Sequence, residues 1–329
     1  MKTTAIIIAI FNIDDYRLSL LEFVLGQLRR QSESVSIYLG VMSTPGPTRL
    51  SPGIADQVNR IISIEGNPYL FQKDAIWNAV ARQLPDQIEK FIFLDGDVFP
   101  VDPDWVQKCS DILEICEAGQ GYSLMMLLSA RKTGEILQDP TQLISHERLT
   151  DGPLNYLRPH ESTNELTNAQ PSFMFGRRHA IKIAGASNYC WLMKRSFFDL
   201  LGGFPYEEIF GGQSGPLMLD RMGLTDWSLF RERFPNDSRF QRLKTSPKVS
   251  FAPRRLYHLW HKPGEARQYN NRSQQLISLN YSPRDDIRLT PSGGVELTSA
   301  GSRLEPFAKV ISDTILRTDD SFFQKGIPQ

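Results

Sequence analysis

The sequence predicts an α/β protein built on a Rossmann-like, open and mostly parallel sheet that is flanked by helices. Apolar runs of strand length alternate with segments of helical period over the first 130 residues. Such alternation is typical of sheets whose strands are joined by helices. The composition, 40% hydrophobic and 22% charged over 329 residues, is that of a globular protein large enough to bury a core without disulfides or metals.

Each element of the first half has a local signal. The run "AIIIAIF" is apolar without a break, which is typical of a strand buried on both faces of a parallel sheet. Helices are predicted at about residues 15–31, 68–84 and 102–119, the last with Asp102 or Asp104 as its cap and Gly119 as its stop. Strands are predicted at about residues 4–11, 34–42, 60–66, 90–95 and 122–130.

The second half of the chain is less regular. Residues 131–184 are polar and weakly periodic, which predicts either a functional or a disordered loop. The stretch "NYCWLMKRSFFDLLGGF" predicts a strand, a turn and a helix. The stretch "EPFAKVISDTILRTDDSFF" near the end has a weak helical pattern.

Bulk charge and cysteine usage indicate an ordinary soluble protein. The 37 Lys and Arg residues balance the 37 Asp and Glu residues, so net charge favours neither nucleic acid nor membrane partners. Three cysteines fit no disulfide framework or zinc motif, which favours a reducing compartment and predicts a cytoplasmic protein. No apolar run approaches the roughly 18 residues that a transmembrane helix needs.

Two carboxylates follow the predicted strand at 90–95 in the segment "FIFLDGDVFP". A buried carboxylate without a partner costs several kcal/mol, so Asp95 and Asp97 need a cation or water nearby. In open α/β sheets, ligands bind at the carboxyl ends of the strands, where these two residues are predicted to lie. The alternative interpretation of the triplet Asp95-Gly96-Asp97 is an Asx turn or a helix cap.

The segment "YHLWH", residues 257–261, offers further metal ligands. Carboxylate oxygens bind Mg²⁺ and Mn²⁺, and Mn²⁺ also accepts imidazole. In a strand, His258 and His261 lie on opposite faces, so both reach one ion only if the chain bends after Trp260. We therefore expect His258 to join Asp97 as a ligand, with His261 as a ligand or as a contact to phosphate or acceptor.

Four segments resemble the nucleotide-sugar glycosyltransferases of the GT-A fold, nearest family 2 and a subgroup common in bacteria and phages. They cover roughly residues 4–130 and 176–285. The segments are "AIIIAIFN", "YLFQKDAIWNAVARQLPDQIEKFIFLDGDVFPVDPDW" with the DxD motif, "GASNYCWLMKRSFFDLLGGF", and "HLWHKPGEARQYNNR", which resembles the tail H-x-W-H…R-x-Y-x-x-R.

This resemblance implies a GT-A fold with a C-terminal helical or loop extension. Residues 1–130 would bind the nucleotide sugar, residues 131–285 would complete the metal and acceptor site, and residues 286–329 would form the extension. The implied activity is transfer of a hexosyl or pentosyl group from a nucleotide diphosphate, a UDP-sugar, to a hydroxyl acceptor with Mn²⁺ or Mg²⁺. The implied metal ligands are Asp97, Asp95, His258 and His261, and the implied nucleotide-sugar contacts are Asn12, Gln72, Lys73, Asp95, Arg267 and Arg272.

The resemblance also implies a general base, which an inverting transferase needs to deprotonate the acceptor hydroxyl. The family places an acid shortly after the "GGF" helix, and Ser214 stands at that position here. Asp220, Glu207 and Glu208 are the nearby substitutes. A relocated base, a retaining mechanism and loss of activity, which would leave a nucleotide-sugar-binding or scaffold protein, are the three explanations.

The acceptor is predicted to be a glycan or, as in some phage enzymes, a hydroxymethylated pyrimidine in DNA. Residues 231–272 contain eleven Lys and Arg against three Asp and Glu, a net charge of +8 that suits either a DNA backbone or the donor diphosphate. A nucleotidyltransferase is disfavoured because "FNIDDY" lacks the glycine-rich phosphate loop that such enzymes place after the first strand.

Overall fold

The computed structural model contains a central seven-stranded, mostly parallel sheet and has the mixed α/β architecture that the sequence predicts. The structure describes residues 3–11, 13–32, 35–43, 50–142, 166–178, 188–211, 214–226, 229–234, 236–261 and 269–313. No helix within these ranges is both long and apolar enough to cross a lipid bilayer.

Thirteen strands and eleven α-helices are described. The strands are β1 (Thr3–Ile10), β2 (Ser36–Ser43), β3 (Arg60–Glu65), β4 (Ile88–Asp95), β5 (Val98–Pro100), β6 (Ala118–Gln120), β7 (Leu124–Leu128), β8 (Leu166–Pro171), β9 (Cys190–Lys194), β10 (Val249–Phe251), β11 (Arg255–His258), β12 (Ile287–Leu289) and β13 (Val295–Leu297). The helices are α1 (Asp15–Leu28), α2 (Pro52–Ala55), α3 (Lys73–Gln83), α4 (Trp105–Ile115), α5 (Ala130–Gln138), α6 (Phe173–Arg178), α7 (Arg195–Leu201), α8 (Ser214–Arg221), α9 (Leu229–Arg233), α10 (Tyr269–Ser278) and α11 (Glu305–Ile311).

The large sheet has the strand order β10-β6-β9-β4-β1-β2-β3, with β1 parallel to both β4 and β2. Only β9 runs antiparallel to its neighbours, β4 and β6. A second sheet has the order β5-β11-β7-β8, and β12 and β13 form a hairpin. Since β1 and β4 are parallel neighbours near the middle of the large sheet, their carboxyl ends meet at one edge.

Both faces of β1 are buried, as the unbroken apolar run predicts. Ile6, Ile8 and Ile10 pack in the core that includes the buried face of α1. Ala5, Ile7 and Ala9 pack in the core on the opposite side, which includes the buried face of α3. The two helices therefore cover opposite faces of the sheet. Gly40 in β2 permits the close approach of α3, because a Cβ there would overlap the Ile76 side chain.

Several predicted boundaries are wrong. Helix α4 ends at Ile115, and Gly119 lies inside β6 rather than stopping the helix. A glycine is needed there because a Cβ would come within 2.6 Å of the Ser250 carbonyl oxygen in β10. Asp104 is the N-cap residue of α4, but its side chain makes no cap hydrogen bond and instead binds Arg254, 2.6 Å away.

The region predicted as a loop also contains regular structure. Residues 131–184 include most of α5, together with β8 and α6. The strand β8 pairs antiparallel with β7 and so extends the second sheet. Residues 143–165 and 179–184 of this region lie outside the described residues. Residues 190–201 form β9 followed directly by α7, as predicted apart from the turn.

A buried asparagine joins α3 to the "GGF" segment that follows α7. The Asn78 Nδ2 atom donates to the Phe204 carbonyl oxygen at 2.8 Å, and the Phe204 amide donates to Asn78 Oδ1 at 2.7 Å. Asn78 is only 2% exposed. Gly203 has a φ of +94°, and a Cβ at this position would come within 2.4 Å of Asn78 Oδ1. A glycine at position 203 therefore allows the Asn78 side chain to reach Phe204.

Replacing Asn78 by alanine is expected to destabilise the protein by about 2–4 kcal/mol, because a buried N–H and a buried carbonyl lose their partner. Chemical denaturation followed by circular dichroism measures the change. The exposed Asn236→Ala is the matched control and is expected to change the unfolding free energy by no more than about 0.5 kcal/mol. Equal stability of the two variants would contradict the structural role of Asn78.

Candidate functional site

The DxD segment and the distant "HLWH" segment lie side by side. Strand β4 ends at Asp95, and β5 begins three residues later and pairs antiparallel with β11. In that pairing, His258 lies opposite Val98. The Leu259 amide then donates to the Asp97 carbonyl oxygen at 2.9 Å. Strand pairing therefore places both histidines beside the second aspartate of the triplet.

Asp97, His258 and His261 form a cluster that fits a divalent cation. The Nε2 atom of His261 is 3.1 Å from Asp97 Oδ2, and the Nε2 atom of His258 is 3.7 Å from Asp97 Oδ1. One ligand atom from each residue lies within 4.8 Å of the others. The side chains of Asp97, His258 and His261 are 23%, 6% and 13% exposed, so the cluster is partly buried but open to solvent on the aspartate side.

The chain bends after β11, which is the condition under which both histidines reach one ion. The Trp260 amide donates to the Thr133 hydroxyl oxygen of α5 at 2.8 Å. The Tyr16 hydroxyl of α1 donates to the Trp260 carbonyl oxygen at 2.6 Å. Burial raises the pKa of Tyr16, and the neighbouring Asp97 charge adds to the effect. Tyr16 and Thr133 therefore position His261, and the sequence analysis identified neither of them.

Lys73 neutralises the first aspartate of the triplet. Its Nζ atom lies 2.9 Å and 3.2 Å from the two carboxylate oxygens of Asp95 and also donates to the Asn188 carbonyl oxygen at 3.1 Å. Burial raises the pKa of Asp95, Lys73 opposes this effect, and the Asp97 charge adds to it. Burial alone would lower the pKa of Lys73, but the charges of Asp95 and Asp74 raise it.

Asp95 thus has a protein cation as its partner, and within the described structure the three-residue metal cluster does not include it. The expectation that Asp95 contacts the nucleotide sugar stays a prediction, as does the role of Lys73. Asn12 and Arg267, two further predicted contacts, lie outside the described residues.

Gln72 and Arg272 have structural partners. Gln72 is fully buried, and its Nε2 atom donates to the Asn67 and Val295 carbonyl oxygens at 3.0 and 2.8 Å. Its Oε1 atom accepts from the Val295 amide at 2.9 Å. The Gln72 amide thus binds the β12–β13 hairpin at Val295, and its expected role as a nucleotide contact stays a prediction. Arg272 is 2% exposed and donates to the Phe210 carbonyl oxygen at 2.9 Å.

The three acids named as substitutes for the base lie in a separate buried region. Both oxygens of the fully buried Asp220 accept from guanidinium groups, Oδ2 from Arg231 at 3.2 Å and Oδ1 from Arg242 at 3.0 Å. Asp220 thus has two guanidinium partners within the protein, and its catalytic role stays a prediction. Glu207 and Glu208 are 2% and 1% exposed, and both charges act on the buried hydroxyl of Tyr281.

Ion pairs within the protein use much of the positive charge of residues 231–272. Arg231 and Arg242 bind Asp220 and Asp226. Arg239 binds Asp237 and lies 3.6 Å from Glu207, and Arg254 binds Asp104. The sequence could not show this pairing, because most of the acids concerned lie outside the basic stretch. The local net charge is therefore weak support for DNA binding.

Asp74 is a buried acid near the site that the sequence analysis did not identify. It lies in the first turn of α3 and is 3% exposed. Burial raises the pKa of Asp74 to about 6, while the charge of Lys73 and the nearby Ser214 hydroxyl lower it. An aspartate in the first turn of a helix is common for electrostatic reasons alone, so the sequence offered no signal of a functional role.

Comparison with known proteins yields structural likenesses only at low similarity. No protein-family model matches the chain, and no curated protein matches it. The structure of S. aureus TarS 1-349 in complex with UDP superposes with a TM-score of 0.45 at 10% identity, covering 84% of this chain and 64% of that one. A mannosyltransferase, PcManGT from Pyrobaculum calidifontis, in complex with GDP-Man and Mn²⁺, gives a TM-score of 0.40 at 11% identity, covering 99% of this chain and 76% of that one.

A longer TarS structure gives a TM-score of 0.43, and the match spans only 39% of its length. Likenesses with TM-scores below 0.5 carry no argument about this protein.

Replacing Asp97 by asparagine is expected to weaken Mn²⁺ binding by about 100-fold or more, because the cluster loses its only anionic donor. Isothermal titration calorimetry with MnCl₂ on the otherwise metal-free protein measures the change. Asp111→Asn, which alters a half-exposed carboxylate on α4, is the control and is expected to bind as the wild type does. Unchanged affinity in Asp97→Asn would exclude this cluster as the metal centre.

Replacing Glu207 by glutamine tests the burial of that acid through the pH dependence of stability. Burial raises the pKa of Glu207 from 4.5 to about 7, and its Oε2 atom makes no hydrogen bond with any described residue. The folded protein thus holds this proton more tightly than the unfolded chain. The stability contributed by this group is complete below pH 4.5 and is lost as the pH rises to about 7.

Relative to the wild type, Glu207→Gln is therefore expected to gain stability between these two pH values, by on the order of 2–3 kcal/mol. Urea unfolding of both proteins at several pH values measures the difference between their unfolding free energies. Groups that titrate alike in the two proteins do not affect this difference. A difference that stays constant with pH would contradict the raised pKa.

Proposed function

We propose that this protein is a metal-dependent glycosyltransferase that moves a sugar from a UDP-sugar to a hydroxyl group of a glycan. The observation that carries the proposal is the convergence of Asp97, His258 and His261 at the carboxyl end of β4, next to the Lys73–Asp95 pair. Open α/β sheets bind ligands at this edge. Two of the segments that resemble GT-A glycosyltransferases, the one with the DxD motif and the one that begins "HLWH", contribute these residues.

The types of ligand atom in the cluster favour manganese over magnesium as the bound ion. Mg²⁺ strongly prefers oxygen ligands, whereas Mn²⁺ tolerates imidazole, and two of the three ligands are histidines. A bound divalent ion would supply a Lewis acid that neutralises the diphosphate leaving group.

Two further residues have roles in binding the donor. Lys73 holds the Asp95 carboxylate in place at the same edge through two hydrogen bonds. Asp95, oriented by Lys73, would accept hydrogen bonds from hydroxyl groups of the ribose or the sugar. Because Lys73 and Asp95 hold each other in place, donor binding costs little further ordering of these side chains.

A nucleotide-sugar-binding protein without catalysis is the second candidate, because Ser214 occupies the position where the family resemblance implies an acid. Binding of UDP without release of UDP from any UDP-sugar would distinguish it from a transferase. The two candidates share the metal centre and differ only in whether an acid reaches the acceptor.

The proposal predicts Mn²⁺-dependent release of UDP from at least one of UDP-glucose, UDP-galactose and UDP-N-acetylglucosamine, with water as a slow acceptor. EDTA and the Asp97→Asn change are each expected to lower the rate at least 100-fold, because the leaving diphosphate loses its counter-charge. A coupled assay for UDP measures the rate, with Asp111→Asn as the matched control. Turnover that persists in EDTA and in Asp97→Asn would overturn the proposal.

A further inference from the structure

Two hydrogen bonds hold the backbone of Trp260, the residue that precedes His261. The Trp260 amide donates to the Thr133 hydroxyl oxygen at 2.8 Å, and the Tyr16 hydroxyl donates to the Trp260 carbonyl oxygen at 2.6 Å. The first bond holds the peptide plane before Trp260, and the second holds the plane after it. Because peptide planes are rigid, the two bonds together restrict both soft dihedral angles of Trp260. They therefore set the direction in which the chain runs towards His261.

The two histidine ligands are held in different ways. His258 is the last residue of β11, and its backbone belongs to the pairings of that strand with β5 and β7. His261 lies beyond the end of the strand, yet its Nε2 atom is 3.1 Å from Asp97 Oδ2. The sheet thus places His258, whereas the placement of His261 depends on Tyr16 and Thr133.

The helices α1 and α5, which carry Tyr16 and Thr133, pack against each other in the core. Thr133 is fully buried, and Ile136 of α5 lies in the same buried cluster as Leu20 and Val24 of α1. The two hydroxyl groups therefore come from a fixed framework. A ligand that the protein already orients loses less conformational entropy when an ion binds.

The placement of His261 bears on which ion the cluster binds. Mg²⁺ prefers oxygen ligands and keeps several of its waters, so its binding at Asp97 gains little from imidazole. Mn²⁺ accepts imidazole nitrogen as well as carboxylate oxygen. A second histidine ligand therefore raises the affinity for Mn²⁺ more than it raises the affinity for Mg²⁺.

We propose that Tyr16 and Thr133 are positioning residues that hold His261 in the cluster and so make it selective for Mn²⁺ over Mg²⁺. This inference rests on the metal centre of the function proposed above, and not on the transfer reaction itself. Both side chains act through the backbone of Trp260 and need no contact with the ion. Partners that orient a metal ligand typically contribute about 10–100-fold to metal affinity.

The test removes each hydroxyl group with little change of shape, in Tyr16→Phe and Thr133→Val. Both variants are expected to bind Mn²⁺ about 10-fold or more weakly than the wild type in calorimetric titrations with MnCl₂. The affinity for Mg²⁺, measured through displacement of bound Mn²⁺ with detection of the free ion by electron paramagnetic resonance, is expected to stay within about 3-fold. Tyr38→Phe alters a tyrosine in the core on the opposite side of the sheet from α1, and this control is expected to bind both ions as the wild type does.

A double variant shows whether Tyr16 acts through His261. His261→Ala is expected to weaken Mn²⁺ binding at least as much as Tyr16→Phe does. Adding Tyr16→Phe to His261→Ala is then expected to change the affinity by no more than about 2-fold, whereas a general structural effect would add to the loss. Tyr16 is only partly buried, so Tyr16→Phe carries the test if Thr133→Val does not fold.

Three results would overturn the inference. The first is a wild-type affinity for Mn²⁺ in folded Tyr16→Phe. The second is a loss of Mg²⁺ affinity equal to that of Mn²⁺, or an additive loss in the double variant. The third is a wild type that does not bind Mn²⁺, which would also remove the metal centre of the proposed function. A wild type with the expected metal affinities but without UDP release would overturn the proposed function and still support this inference.

Discussion

The ion pair between Lys73 and Asp95 is the interaction on which the functional edge of the sheet depends. Asp95 ends a central strand and is largely surrounded by protein, where an unpaired carboxylate would be strongly unfavourable. Lys73 begins α3 and supplies the compensating charge at 2.9 Å. Removing one partner of such a pair typically costs about 3–5 kcal/mol, because the other charge stays buried. The pair therefore fixes where α3 starts relative to the end of β4.

Several neighbouring features follow from that placement. With the start of α3 held at the strand ends, Gln72 lies where it binds the β12–β13 hairpin and Asp74 lies where it meets the start of α8. Asn78, one turn further along, binds the segment after α7. Gln72, Lys73 and Asn78 thus connect the first half of α3 to the C-terminal hairpin, the end of β4 and the segment after α7.

The metal cluster depends on a second constraint, the pairing of β5 with β11. These strands are separated by about 150 residues in the chain, yet their register determines that His258 lies beside the triplet. The bend that brings His261 to the same place is held from α1 and α5 by Tyr16 and Thr133. Alternation along an extended strand would put the two histidines on opposite faces, but β11 ends at His258, so His261 is free of that alternation.

Periodicity predicted β1 to β4, β7 and β9 and the helices α1, α3, α4 and α7 from the sequence alone, because an apolar face that must be buried leaves a pattern in neighbouring residues. The short strands β6 and β10 of the same sheet carry no such pattern and were not predicted. The DxD triplet and the "HLWH" segment were likewise recognisable, since strand ends and ligand types are local properties. The pairing of buried charges was not recognisable from the sequence, because attraction between side chains that are distant in sequence leaves no local pattern. Only the tertiary structure assigned Asp220 to two arginines and Gln72 to a backbone hairpin.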